Sequence, residues 1–205
     1  MKNFSHYLKA FAVTGAILSA PMLLNAATDL SSQNDITVQK KKTRITKQQR
    51  EDLKFMFQEE KLARDVYIAL GEMWEQRTFL NIQKAEQSHM DAIKRLMEKY
   101  HVRIPVDEDA LGEFSDENLQ NLYNQLIEQG SDSLEEALEV GVLIEETDID
   151  DLKERRKEAP RNIRRVYNKL LRGSYRHLDA FNRALDGDGG GKGRGEGKDH
   201  REDRL

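Results

Sequence analysis

Four stretches of the chain place apolar residues at i, i+3, i+4 and i+7, the spacing of one face of a helix. In the first, Leu53, Met56, Phe57, Glu60, Ala63, Tyr67, Leu70 and Trp74 share a stripe that predicts a helix over about residues 46–75. Thr46 with Gln49 supplies a capping box at its start. After a short break at Arg77 and Thr78, the stripe Ile82, Glu86, His89, Ile93, Leu96 and Tyr100 predicts a second helix over about 78–100. Pro105 and Gly112 keep the next segment from forming one continuous helix. A short amphipathic piece then runs from Ser115 to Gln129 and ends at Gly130. Ser133 and Glu136 open a third long helix over about 134–156, with the stripe Leu134, Leu138, Gly141, Glu145, Asp148 or Ile149, and Leu152. Pro160 is placed to start a fourth over about 161–185, with the stripe Ile163, Tyr167, Leu170, Ser174, His177 and Phe181.

The links between these segments predict their topology. Only a few residues separate the first pair of long helices and the second pair, so each pair should form an antiparallel hairpin. The link between the pairs is long and carries its own short helix. Two hairpins joined by one long crossover predict an all-α, ferritin-like four-helix bundle over residues 46–185. Composition agrees with helices, since 34% of the 205 residues are charged and only 7% are aromatic. The absence of cysteine excludes disulfides and thiolate ligands, so a bound metal would need oxygen and nitrogen donors.

The chain ends read differently. Lys2 and Lys9 precede a short, interrupted apolar run, and the small residues Ala26 and Ala27 suit a signal peptidase. Residues 1–26 are expected to be a secretory signal peptide, which predicts a periplasmic or secreted protein with no stable membrane span after cleavage. Its removal takes away two lysines and shifts the net charge from −4 to −6, which argues against a nucleic-acid partner. Residues 27–45 are polar and predict a disordered linker. The Gly-rich, mixed-charge stretch 186–205 predicts a disordered tail.

Each long helix has polar groups breaking its apolar stripe near mid-length: Glu60 on the first, Glu86 and His89 on the second, Glu145 with Asp148 on the third, Ser174 and His177 on the fourth. An antiparallel bundle would bring them to one height, and residues at i and i+3 share a face. Buried carboxylates are costly to desolvate unless a cation compensates them. Dimetal carboxylate sites use a Glu from each of two helices and Glu-x-x-His from the other two. Here the second helix has the complete motif, whereas the fourth has Ser174 in the place of the Glu. Asp148 would restore the fourth negative charge. The candidate ligands are therefore Glu60, Glu86, His89, Glu145, Asp148 and His177, and the candidate ions are divalent, iron or manganese first and zinc after them.

"EEKLARDVY" at 59–67 resembles the first-helix signature of rubrerythrin-type proteins, and that alignment selects Glu60 over Glu59. Together with "NIQKAEQSHMDAI", "ALEVGVLIEETDIDDL" and "LLRGSYRHLDAF", it makes the chain similar to the ferritin-like family called domain of unknown function 2202 over about residues 50–183. The resemblance implies a ferritin-like bundle and metal binding, and no established reaction.

Two functions follow as expectations. One is an exported metal-binding protein that oxidises iron or manganese or acts on peroxide, with no catalytic residue assigned. The other is a non-catalytic binding or structural module whose polar centre is a hydrogen-bond network. The sequence leaves room for a homo-oligomer. Glu59, Glu135, Glu136, Glu139 and Glu146 lie off the stripes and are expected in solvent. Arg64 is expected to pair either with an inward carboxylate or at the surface, Tyr67 and Tyr167 to pack, and Trp74 to lie in the core.

Overall fold

The structure, a computed structural model, describes residues 44–188. Among them are five helices and no strand: α1 (Lys47–Trp74), α2 (Arg77–Lys99), α3 (Glu117–Gly130), α4 (Leu134–Arg155) and α5 (Arg161–Asp188). The expected signal peptide, nearly all of the linker and most of the tail lie outside the described residues. Two boundaries differ from expectation. Ile45, assigned to the linker, is buried in the core, and α5 continues through Asp188.

Local sequence accounts for the helix ends. At the start of α1 the Thr46 hydroxyl accepts from Gln49 N while Gln49 Oε1 accepts from Thr46 N, at 3.1 and 3.0 Å. Glu75 at φ 49° ends α1 in the left-handed region, and Gln76 caps α2 through Thr78 N. The turn therefore falls at Glu75 and Gln76, just before the expected Arg77–Thr78 break. Asp116 caps α3, and the Ser133 hydroxyl accepts from Glu136 N to start α4.

Side-chain registers give the directions. Arg50 near the start of α1 donates to the Tyr100 carbonyl beyond the end of α2, so these helices are antiparallel. Asp148 meets Ser174 and Arg156 meets Asn168, so α4 and α5 are antiparallel as well. Tyr67 reaches Glu145 while Asp52 reaches Arg155, so α1 also opposes α4. It follows that α2 and α4 run in the same direction, joined by the crossover that contains α3.

The buried apolar residues form two clusters. One joins Leu53, Met56 and Phe57 of α1 to Met90, Ile93 and Met97 of α2, Leu152 of α4 and Tyr167 and Leu170 of α5. The other joins Val66, Tyr67 and Leu70 to Phe79, Leu126, Leu138, Ile144 and Phe181. In every long helix the stripe residues between the two clusters are polar, so a polar layer divides the core. Trp74 is only half-buried, against expectation: it is the last residue of α1, and its indole Nε1 donates to the Gly130 carbonyl at the edge of α3.

Every residue from Glu59 to Tyr67 is buried, which an amphipathic surface helix does not show. The crossover covers the face of α1 that points away from the polar layer. Lys61, fully buried, donates to Asp65 Oδ2 at 2.6 Å and to the Ala110 carbonyl at 2.8 Å. Asp65 also accepts from Gly112 N at 2.9 Å and from Arg64, which donates in turn to the Glu108 carbonyl. Gly112 sits at φ 69°, and a β-carbon there would meet the Tyr123 ring at 2.7 Å, so this turn requires glycine.

Candidate metal centre

The polar layer brings Glu60, Glu86, His89, Glu145, Asp148, Ser174 and His177 together, all of them buried. Glu86 is central. His89 Nδ1 lies 2.8 Å from Glu86 Oε2 and 3.1 Å from Glu60 Oε2. His177 Nδ1 lies 2.8 Å from Glu86 Oε1 and 3.5 Å from Glu145 Oε1. Two overlapping groups result, Glu60–Glu86–His89 and Glu86–Glu145–His177, in each of which the ligand atoms fall within 4.8 Å of one another. The two imidazole rings stack with centroids 5.5 Å apart.

Asp148 stands at the edge of both groups. Its Oδ2 accepts from Ser174 Oγ at 2.5 Å, and the same hydroxyl touches the Leu170 carbonyl. Ser174 therefore supports an acid that α4 supplies where α5 carries none. Tyr67, expected first of all to pack, also donates from its hydroxyl to Glu145 Oε1 at 2.8 Å. Gly173 makes room for an imidazole, because a β-carbon there would fall 2.5 Å from His89 Nε2.

Hydrogen bonding inside the layer is incomplete. Glu60 Oε1, Glu86 Oε1, Asp148 Oδ1 and His177 Nδ1 are buried without an aligned partner. The short approach of His177 to Glu86 is thus a contact of charges without hydrogen-bond geometry. Buried polar atoms ordinarily find partners, so orphans converging from four helices are atoms that a cation could satisfy.

The electrostatics carry the same imbalance. Burial and then the Asp148 charge hold Glu60 well above the usual carboxylate range, with His89 opposing them. Burial and the Glu86 charge push Glu145 up to about 8 against the pull of His177. Burial, together with Glu86, pushes Asp148 up to about 7, although the Ser174 hydrogen bond favours its ionised form. Glu86 behaves oppositely, since its contacts with His177 and His89 outweigh burial and hold it well below the usual range. Burial alone would lower both histidines. The surrounding carboxylates override it and push His89 up to about 11 and His177 up to about 10. Without a cation, the layer balances charge by keeping protons on the imidazoles and on some of the acids.

Sequence reasoning missed Glu59, Lys61 and Asp65. Glu59 is buried rather than solvated, because α3 and α4 cover that side of α1. Glu135, Glu139 and Glu146 are exposed as expected, and Glu136 is half-buried. Arg64 takes neither expected option, since it is buried but pairs at 2.7 Å with Asp65 on the face away from the polar layer. Tyr167 is buried in the core as expected.

These features define an all-α protein with buried Glu and His groups able to hold a metal ion. The chain belongs to the family described as an uncharacterized protein domain, DUF2202, whose model matches residues 49–193. It is 44% identical over 142 residues to the uncharacterized protein MJ0754 of Methanocaldococcus jannaschii, covering 69% of this chain and 77% of that protein. The crystal structure of that archaeal protein, titled as hypothetical, matches with a TM-score of 0.69 at 40% identity, covering 79% of this chain and 87% of the other.

Proposed function

We propose that this is an exported, ferritin-like metal-binding protein whose centre holds iron or manganese, with zinc as a competitor. The two hairpins, the long crossover and the parallel α2 and α4 support the ferritin-like assignment. The observation that carries the metal reading is Glu86, one carboxylate shared by two buried groups that each end in a histidine Nδ1. Glu60, Glu86 and His89 would hold one ion, and Glu86, Glu145 and His177 a second, with Asp148 as a further oxygen donor. When bound, such ions supply Lewis-acid and redox chemistry. The residues around them fix the ligands: Tyr67 orients Glu145, Ser174 orients Asp148, and Gly173 leaves space for the His89 ring. The reaction class we attach to the centre is oxidation of ferrous or manganous ion or consumption of peroxide.

The opposing reading, a hydrogen-bonded structural core, requires every buried polar atom to be paired. The orphaned carboxylate oxygens weigh against it. Anaerobic calorimetric titration with ferrous iron, manganese and zinc decides between them. Uptake approaching about two ions per chain is expected. A wild-type protein that binds none of the three overturns the metal reading in favour of the structural one. The export component predicts cleavage near Ala26. N-terminal sequencing from the native host checks this, and an intact Met1 rejects it.

A further inference from the structure

Glu59 carries an inference about how the centre is filled, and it rests on reading that centre as a metal site. We propose that Glu59, with Asp151 outside it and Asp148 inside it, forms the uptake route by which a divalent cation reaches the centre. Glu59 precedes Glu60 on the helix by one position and points about 100° away from it, toward the side covered by α3 and α4. It is only 9% exposed, and its Oε2 has no hydrogen-bond partner. It lines a cleft of about 80 Å³ between α1 and α3, walled by Leu62, Leu119 and Leu122 and reached past the exposed Asp116. On its α4 side, the charges of Asp151 and Asp148 both bear on it, as does Glu60 from α1.

A structural role would give this buried carboxylate a cationic partner. The cation that faces it is Arg155, which is already shared between Asp52 at 3.0 Å and Asp151 at 3.3 Å. Acids therefore outnumber the positive charge along this path. Asp151 is half-buried, Glu59 is nearly covered, and Asp148 borders the centre. Each step inward offers a hard cation a new oxygen in exchange for part of its water shell. The apolar walls of the cleft concentrate the field of the acids that line it, Glu59 and Asp116, which draws cations toward the site and raises their rate of arrival.

The test is stopped-flow mixing of the metal-free full chain with cobalt(II), whose visible band reports its coordination as it reaches the centre. Glu59→Gln and Asp151→Asn should each slow the appearance of that band about ten-fold, with its final shape and the bound cobalt per chain unchanged. Glu139→Gln, at an exposed position, should load at the wild-type rate. Wild-type loading rates in Glu59→Gln and Asp151→Asn overturn the route and leave the centre intact. An altered final band or stoichiometry in Glu59→Gln also overturns it, by making Glu59 a ligand. If Glu59→Gln does not fold, Asp151→Asn decides by the same rate and endpoint criteria. A wild-type protein that develops no band overturns the centre itself, and the route falls with it.

Discussion

At the scale of single residues, Glu86 differs from every other group in the layer because both histidines converge on it. His89 and His177 each touch only one of the remaining glutamates. The metal reading therefore predicts unequal losses. Glu86→Gln should abolish uptake of both ions, whereas His89→Ala and His177→Ala should each remove one, as measured by bound metal per chain. Equal, partial losses in all three variants would sink the shared-ligand geometry. Tyr67→Phe removes the hydroxyl that supports Glu145, so it should weaken metal affinity roughly ten- to a hundred-fold without changing stoichiometry. Gly173→Ala tests packing against the same ring. The added methyl would lie 2.5 Å from His89 Nε2, so the ring or α5 must shift. The expected cost is about 1–3 kcal/mol of stability, read by urea unfolding of the metal-free protein. An unchanged midpoint would show that the ring moves freely and that Gly173 is not what positions it.

At the scale of elements, α1 explains both what the sequence made legible and what it hid. Helical periodicity reports one buried face, and that face is occupied by Glu60, Ala63, Tyr67 and their neighbours, as read from the stripe. Glu86, His89, Glu145, Ser174 and His177 were legible for the same reason, because each interrupts an apolar stripe at a fixed helical interval. The role of Asp148 was half-legible, since its spacing from Glu145 put it on the right face but its bond to Ser174 depends on how α4 meets α5. Lys61 and Asp65 were not legible, because a charged residue opposite the stripe ordinarily faces water. Here the loop before α3 folds over them, and its backbone carbonyls complete the hydrogen bonding of Lys61. That cover is a tertiary decision no local pattern records. It also makes the pair a fastening for the crossover. Asp65→Ala would leave Lys61 buried without its anionic partner, which should destabilise the protein by about 3–5 kcal/mol. Hydrogen exchange should show the backbone around Gly112 losing protection before the long helices do. A change below about 0.5 kcal/mol, as for an ordinary surface site, would mean that the crossover is held by Phe114 and α3 alone.

For the whole molecule, the layer couples stability to pH in opposite senses with and without metal. In the metal-free protein Glu145 and Asp148 bind protons more tightly than they do in the unfolded chain, with values pushed up to about 8 and about 7. His89 and His177 do the same, up to about 11 and about 10. Each raised group contributes stability that is fully present below its unfolded value and is lost as pH rises through its folded value. From about pH 6.5, where an unfolded imidazole titrates, the folded state holds the excess of protons, so stability must fall as pH rises. Each whole excess proton contributes a decline of about 1.4 kcal/mol per pH unit. Glu86 does not offset this, because its lowered value acts only below the ordinary carboxylate range. Metal binding runs the other way, since ligands must release those protons before they coordinate. An unperturbed imidazole would confine this competition to below about pH 6.5. The raised values here extend it into the alkaline range. Thermal melts from pH 6.5 to 9 should therefore show Tm of the metal-free protein falling, while the increase in Tm given by a fixed excess of manganese grows with pH. A metal-free Tm that is flat or rising over that interval would remove the buried proton excess. A manganese effect that shrinks with pH would place the ion somewhere other than on these carboxylates and imidazoles.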